Sequence, residues 1–325
     1  MIQRNRFGRS GLKVSPLSFG TMTLGDGADE KTSFALLDLA FERGVNFLDC
    51  ANMYNGGEAE RILGRWINKR GHYDDLIVST KVRYRVGGDA TSEGLSPATI
   101  EREIDRSLKR LALDAVDIYF LHQPDYDTPL ETTWYCLDRL ARAGKIRTVG
   151  LSNFAAWQIV EADRLAAANG WIRPTIAQCM YNVLTRATET ELFPMARSYD
   201  LGVCNYNPLA GGLLTGKYGI GTSETEGRLT RNDHYRRRYF DNRQRQAAQA
   251  IGELAVESGR RPVELAIRYC LDHDAISSVI LGANTPKQLG ESLDAMDAQS
   301  LSDHERERAD AIYNQLAGPI PAYNR

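Results

Sequence analysis

Short apolar runs alternate along this chain with longer stretches whose apolar residues recur every three to four positions. The runs fall at 16–20, 46–49, 76–81, 116–122, 147–152, 175–178, 202–206 and 278–282, and each has the length of a buried strand. Helical spacing occupies Thr32 to Arg43, Pro97 to Leu111, Glu131 to Ala143, Ala155 to Ala168 and Gln288 to Met296. Ala59, Ile62, Leu63, Trp66 and Ile67 mark one further buried helical face. An opening hairpin is expected around the segment SGLKV at 10–14. Strand and helix in regular alternation predict an α/β protein, a closed parallel (β/α)8 TIM barrel forming one domain over 1–325. A doubly wound dinucleotide fold would show GxGxxG after its first strand, and the TMTLGDG that follows Gly20 does not fit. A polar, Arg-rich stretch from about 219 to 245 breaks the rhythm and reads as a long loop after the seventh strand.

In such a barrel the side chains at the C-terminal ends of the strands share one mouth. The residues expected there are Gly20 and Thr21, Asp49, Lys81, His122, Ser152 and Asn153, Gln178, Tyr206 and Gly282. Tyr54 follows Asp49 in the polar turn LDCANMYNGG. An acid, an ammonium, an imidazole and a phenol at one mouth suit the reduction of a carbonyl, in which charge builds on oxygen and a proton must be supplied. Tyr54 is the candidate donor, and Lys81 would favour the phenolate left after transfer. Asp49 would hold Lys81 charged, while His122 would hydrogen-bond the substrate oxygen as a neutral imidazole. Taken singly, each of these residues has an ordinary structural role open to it.

Composition narrows the setting. A formal net charge of -2 with 25% charged residues gives no bulk pull toward nucleic acid or anionic membrane. The N-terminal MIQRNRFGRSGLKV lacks a signal-length apolar core, and no run approaches the roughly 18 residues of a membrane span, so a cytoplasmic protein is expected. Cys50, Cys136, Cys179, Cys204 and Cys270 are widely spaced in apolar surroundings, which predicts buried reduced thiols and no metal site. GGLLTGKY at 211–218 matches GxxxxGK but places Tyr218 where a phosphate loop needs Ser or Thr. Its glycines and Lys217 could still lie along a phosphate.

These segments resemble the aldo-keto reductase superfamily from end to end: FGT at 19–21, the Asp49 to Tyr54 turn, STK at 79–81, LHQPD at 121–125, GLSNF at 150–154, NPLAGGLLTGKY at 207–218 and VILGANTPKQLGES at 279–292. The nearest resemblance is to the branch that holds bacterial glyceraldehyde 3-phosphate type reductases and voltage-gated potassium channel beta subunits. It implies a catalytic tetrad of Asp49, Tyr54, Lys81 and His122 and an extended nicotinamide dinucleotide, NADPH or NADH, across the barrel mouth. Gly20, Thr21 and Asp49 would border the cofactor. Ser152, Asn153 and Gln178 would hold its carboxamide, and Tyr206 would stack on the nicotinamide. Asn207, Pro208, Leu209, Gly211, Leu213, Gly216 and Lys217 would follow the pyrophosphate, and Gly282, Asn284, Gln288, Glu291 and Ser292 would line the adenosine end. Asn207, Asn284 and Ser292 depart from common patterns and bear on the choice between NADPH and NADH.

The resemblance also implies a small carbonyl or sugar-like substrate. Its candidate contacts are Met22, Met53, Tyr54, Tyr84, Arg85 and His122, with Tyr323 and Arg325 from the C-terminus. The Arg-rich stretch is expected to fold over the dinucleotide as a clasp, with Arg228 on the 2'-phosphate. The alternative reading is a nucleotide-sensing binding subunit. The channel subunits carry an amide where this chain has His122, so the complete tetrad favours an NAD(P)H-dependent reductase.

Overall fold

The computed structural model describes residues 3–71, 74–218, 227–239 and 241–318, without the side chains of Arg228, Arg231 and His234. Two short strands, β1 (Asn5–Arg6) and β2 (Lys13–Val14), pair antiparallel. Eight parallel strands then close a barrel: β3 (Leu17–Gly20), β4 (Phe47–Asp49), β5 (Ile77–Val82), β6 (Val116–Leu121), β7 (Ile146–Ser152), β8 (Pro174–Met180), β9 (Gly202–Tyr206) and β10 (Ser278–Leu281). Each strand pairs with the next in chain order, and β10 closes onto β3. The TIM barrel expected from the sequence is therefore the observed fold, with strand ends shifted by a residue or two where ladder bonds continue past the apolar run, as at Val82 and Met180.

Alternation along the strands explains why one end is greasy and the other polar. Phe47, Ile77, Ile118, Phe120, Ile176, Cys204 and Ile280 pack together with Phe7 and Val14 of the hairpin. Phe7 lies 5.7 Å from the Phe47 ring, so the hairpin plugs the N-terminal end of the barrel. Two or four residues further along the same inward-facing series come Asp49, Lys81, His122, Gln178, Tyr206 and Gly282, at the opposite end. Gly150 in β7 makes room for this core, since a Cβ there would sit 2.2 Å from the Phe120 ring. The outward residues, among them Leu48, Val78, Tyr119, Leu121, Val149 and Val203, join the larger core under the helices.

Those helices are α1 (Glu30–Glu42), α2 (Glu58–Arg70), α3 (Pro97–Leu111), α4 (Leu130–Arg142), α5 (Ala156–Asn169), α6 (Leu192–Ser198), α7 (Arg228–Arg231), α8 (Asp233–Tyr239), α9 (Asn242–Glu257), α10 (Pro262–Leu271), α11 (Pro286–Leu293) and α12 (Asp303–Ala317). The long loop expected at 219–245 is corrected in its described part. It contains α7, α8 and the start of α9, because Asp241 caps the Gln244 N–H at 3.0 Å and Ala247, Ala248, Ile251, Leu254 and Ala255 form a buried face. Among the described residues no helix is long and apolar enough to cross a membrane.

Candidate active site

A cavity of about 970 Å³ opens at the C-terminal mouth, at the upper end of the range for ligand sites. Its walls include Gly20, Met22, Asp49, Met53, Tyr54, Tyr84, His122, Ser152, Asn153, Gln178 and Tyr206. The turn after β9 adds Asn207, Pro208, Leu209, Gly211 and Lys217, and the segment from the end of β10 into α11 adds Gly282, Asn284, Gln288, Glu291 and Ser292.

Lys81 sits behind Tyr54 and is fully buried. Its Nζ donates to Asp49 Oδ2 at 2.6 Å, to the Cys50 carbonyl at 2.8 Å and to the Tyr54 hydroxyl oxygen at 3.4 Å. An ammonium has three protons, and these partners use all three. Because the Tyr54 oxygen accepts from Lys81, its own proton is left to face the cavity. Burial pushes the Tyr54 phenol up to about 12, against the pull of the Lys81 charge, so the proton stays on at neutral pH. Burial disfavours the Lys81 charge, yet Asp49, with Tyr54 and Cys50 adding to it, outweighs this and raises it above the ordinary ammonium range. Asp49 is held in turn by the Ser79 hydroxyl at 2.8 Å and by Gln178 Nε2 at 2.9 Å, both on Oδ1.

His122 stands at the cavity wall with its ring edge-on to Tyr54, centroids 6.0 Å apart, and to Tyr84, 4.9 Å apart. Burial, helped by the Lys81 charge, drives its pKa well below the usual imidazole value, so it is neutral. Its Nδ1 is buried with no protein partner among the described residues. Asn153, in left-handed backbone at φ 61°, donates to the His122 carbonyl at 2.9 Å and to Ser152 Oγ at 3.1 Å. The Tyr206 hydroxyl donates to Asn153 Oδ1 at 2.6 Å. The side chains expected to hold a carboxamide therefore form one network across the mouth.

Further along, Ala210–Thr215 winds as a 3-10 turn with Gly211 at φ 67° and Gly212 at φ 100°. A Cβ at Gly212 would stand 3.6 Å from Lys217 Nζ, filling the space in front of the ammonium. Open backbone beside a cation suits a pyrophosphate, while the amides of Asn153 and Gln178 and the donor and acceptor groups of Gln288, Ser292 and the Glu291 carboxylate suit the polar groups of an extended dinucleotide.

Several expectations fall elsewhere. Thr21 is buried and its hydroxyl donates to the Asp49 carbonyl at 3.1 Å, so it braces the turn outside the cavity. Leu213 packs into the core beneath the turn, and Gly216 supplies a φ of 83° at the turn's end; neither lines the cavity. Arg85 pairs with Glu93 at 3.1 Å on the surface. The Arg228 side chain, Tyr323 and Arg325 lie outside the described residues. Thr23, Gln123, Tyr235 and Val263 line the cavity and were not anticipated, while Thr215 of the pyrophosphate turn and Arg238 of the Arg-rich stretch, both inside segments expected near the dinucleotide, line it as well. The usable signal for two of these was helical spacing inside the Arg-rich stretch. Tyr235, Arg238 and Tyr239 share one face of α8, while Arg236 and Arg237 are exposed.

The sequence model described as the Aldo/keto reductase family matches residues 16–314. Aflatoxin B1 aldehyde reductase member 2 of Mus musculus is 35% identical, over 97% of this chain and 89% of its own. An uncharacterized oxidoreductase of Bacillus subtilis is 33% identical, over 89% and 90%. A probable voltage-gated potassium channel subunit beta of Arabidopsis thaliana is 35% identical, over 92% and 93%. With eight parallel strands closed around a polar mouth and a match spanning nearly the whole chain, the protein belongs to the aldo/keto reductase family, whose members are oxidoreductases of small carbonyl compounds.

Proposed function

We propose that the chain reduces an aldehyde or ketone to an alcohol with NADPH, and that Tyr54 delivers the proton. The observation that supports this reading is the Lys81 ammonium donating to Asp49, Cys50 and the Tyr54 oxygen, which leaves the phenol proton available to a carbonyl bound in the cavity. Bound reduced nicotinamide supplies the hydride to the carbonyl carbon. Tyr54 protonates the carbonyl oxygen as charge builds there, and the buried Lys81 steadies the phenolate that remains. Asp49 keeps Lys81 charged and aimed. Neutral His122 offers one ring N–H to the same oxygen and fixes the carbonyl between itself and Tyr54.

Arg238 refines the substrate class within this reading. It reaches the cavity from the inner face of α8, and its positive charge is felt by the phenols of Tyr84 and Tyr206. Tyr84 packs on His122, so an anion met by Arg238 would lie a few bonds from the reacting carbonyl. The test is a panel of aldehydes and ketones in matched neutral and carboxylated pairs, followed by loss of reduced-nicotinamide absorbance. The carboxylated member should have the higher kcat/KM, by roughly tenfold or more, the scale of a hydrogen bond to a charged group. A second reading, a dinucleotide-binding regulatory subunit, is favoured by the similarity to a probable channel beta subunit. Tight NADPH binding with no oxidation by any member of the panel would support it instead.

A further inference from the structure

We propose that Asn52, gripped by Glu103, is a positioning residue that sets the distance between the Tyr54 phenol and the Lys81 ammonium, an inference that rests on the reading of Tyr54 as proton donor. The turn that carries Tyr54 leaves β4 at Asp49 and enters α2 at Glu58. Its backbone is tied to β5 through the Asn52 N–H, which donates to the Lys81 carbonyl at 3.2 Å. The Asn52 side chain is fully buried and turns away from the cavity. Its Nδ2 donates to Glu103 Oε2 on α3 at 3.0 Å. Glu103 is also fully buried, and its other oxygen accepts from Arg106 at 2.9 Å. Two residues before Tyr54, then, the turn is fastened to a carboxylate on a neighbouring helix.

Two further features indicate that the fastening serves the site. Asn52 Oδ1 is buried without a hydrogen-bond partner among the described residues, so the amide engages its surroundings through its donor half alone. The neighbour of Lys81 is held in the same manner: the Thr80 hydroxyl donates to buried Glu60 on α2, which also accepts from Arg110. Both arms of the Tyr54 and Lys81 pair are thus anchored to carboxylates outside the barrel. The pair itself meets at 3.4 Å, the long end of a hydrogen bond, so a shift well under 1 Å would uncouple it.

The experiment exchanges the polarity of the contact. Asn52→Asp sets two carboxylates against each other, and Asn52→Asp with Glu103→Gln restores one donor and one acceptor while leaving an oxygen for Arg106. In the folded Asn52→Asp variant kcat should fall roughly ten- to a hundredfold, with dinucleotide Kd and substrate KM unchanged, and the double variant should recover most of it. In a Tyr54→Phe background Asn52→Asp should cost nothing more, because the group it positions is gone. Asn52→Ser, which is too short to reach Glu103, gives the same kcat loss if Asn52→Asp does not fold. Wild-type kcat in either folded single variant, or no recovery in the double, overturns the inference. Full turnover in Tyr54→Phe alone would instead overturn the reading on which it rests.

Discussion

At the scale of single residues, the site works by keeping protons where burial puts them. Tyr54, raised to about 12, and His122, lowered well below its ordinary value, bracket the neutral range without titrating in it. The rate of carbonyl reduction should therefore be nearly flat from about pH 6.5 to about pH 9, once cofactor and substrate are saturating. His122 also links pH to stability. Its folded pKa lies below the unfolded one, so the unfolded chain binds the extra proton. The stability it contributes is complete above about pH 6.5 and is lost as pH falls below that, by up to about 1.4 kcal/mol per pH unit. His122→Gln should flatten this part of the acid limb of melting temperature against pH; an unchanged limb would show that the imidazole titrates freely in the fold. The Asp49 and Lys81 pair behaves differently, since removing either partner strands a buried charge at a cost of about 3–5 kcal/mol.

At the scale of elements, the parts of the site set by strand period were legible in the sequence. Asp49, Lys81, Gln178 and Tyr206 follow inward-facing residues by two or four positions, and that spacing can be counted. Thr21 and Leu213 stay out of the cavity lining for the complementary reason: neighbours of site residues in a motif turn their side chains the other way. The Asn52 contact to Glu103 spans 51 positions and leaves no periodic trace. α8 was hidden by composition, because a run of arginines reads as solvated while the tyrosines flanking it do the docking. The Tyr239 hydroxyl donates to Met180 Sδ at 3.0 Å, and the Tyr235 hydroxyl donates to Asn207 Oδ1 at 3.5 Å. α7 starts beside Gly227, which lines the cavity, and this brings the backbone of Arg228 close to the cavity wall. As a clasp on the 2'-phosphate, Arg228 would make NADPH bind more tightly than NADH, with a preference that shrinks as salt rises. Arg228→Ala should weaken NADPH selectively by about tenfold, the size of one charge-assisted bond. Equal losses for both cofactors, or none, would leave α7 a surface helix.

At the scale of the whole molecule, the barrel separates stability from chemistry. Its N-terminal end is filled by Phe7, Phe47, Phe120 and their aliphatic neighbours, and its C-terminal end carries the charges. The hairpin closes the first end, and residues of the β9 turn, α7 and α8 line the cavity at the second. This division is why the fold and the polar strand ends could be anticipated together, while the overhanging helices, packed by contacts distant in sequence, could not.

The central claim is that Tyr54 gives the proton. Its most direct test is a single-turnover measurement in which Tyr54→Phe, loaded with NADPH, is mixed with a substrate of the wild-type protein and nicotinamide oxidation is followed by absorbance. The account predicts oxidation slowed by about two orders of magnitude or more, with NADPH affinity close to wild type, because only the proton is missing. Oxidation at the wild-type rate in the folded, NADPH-loaded variant would contradict it.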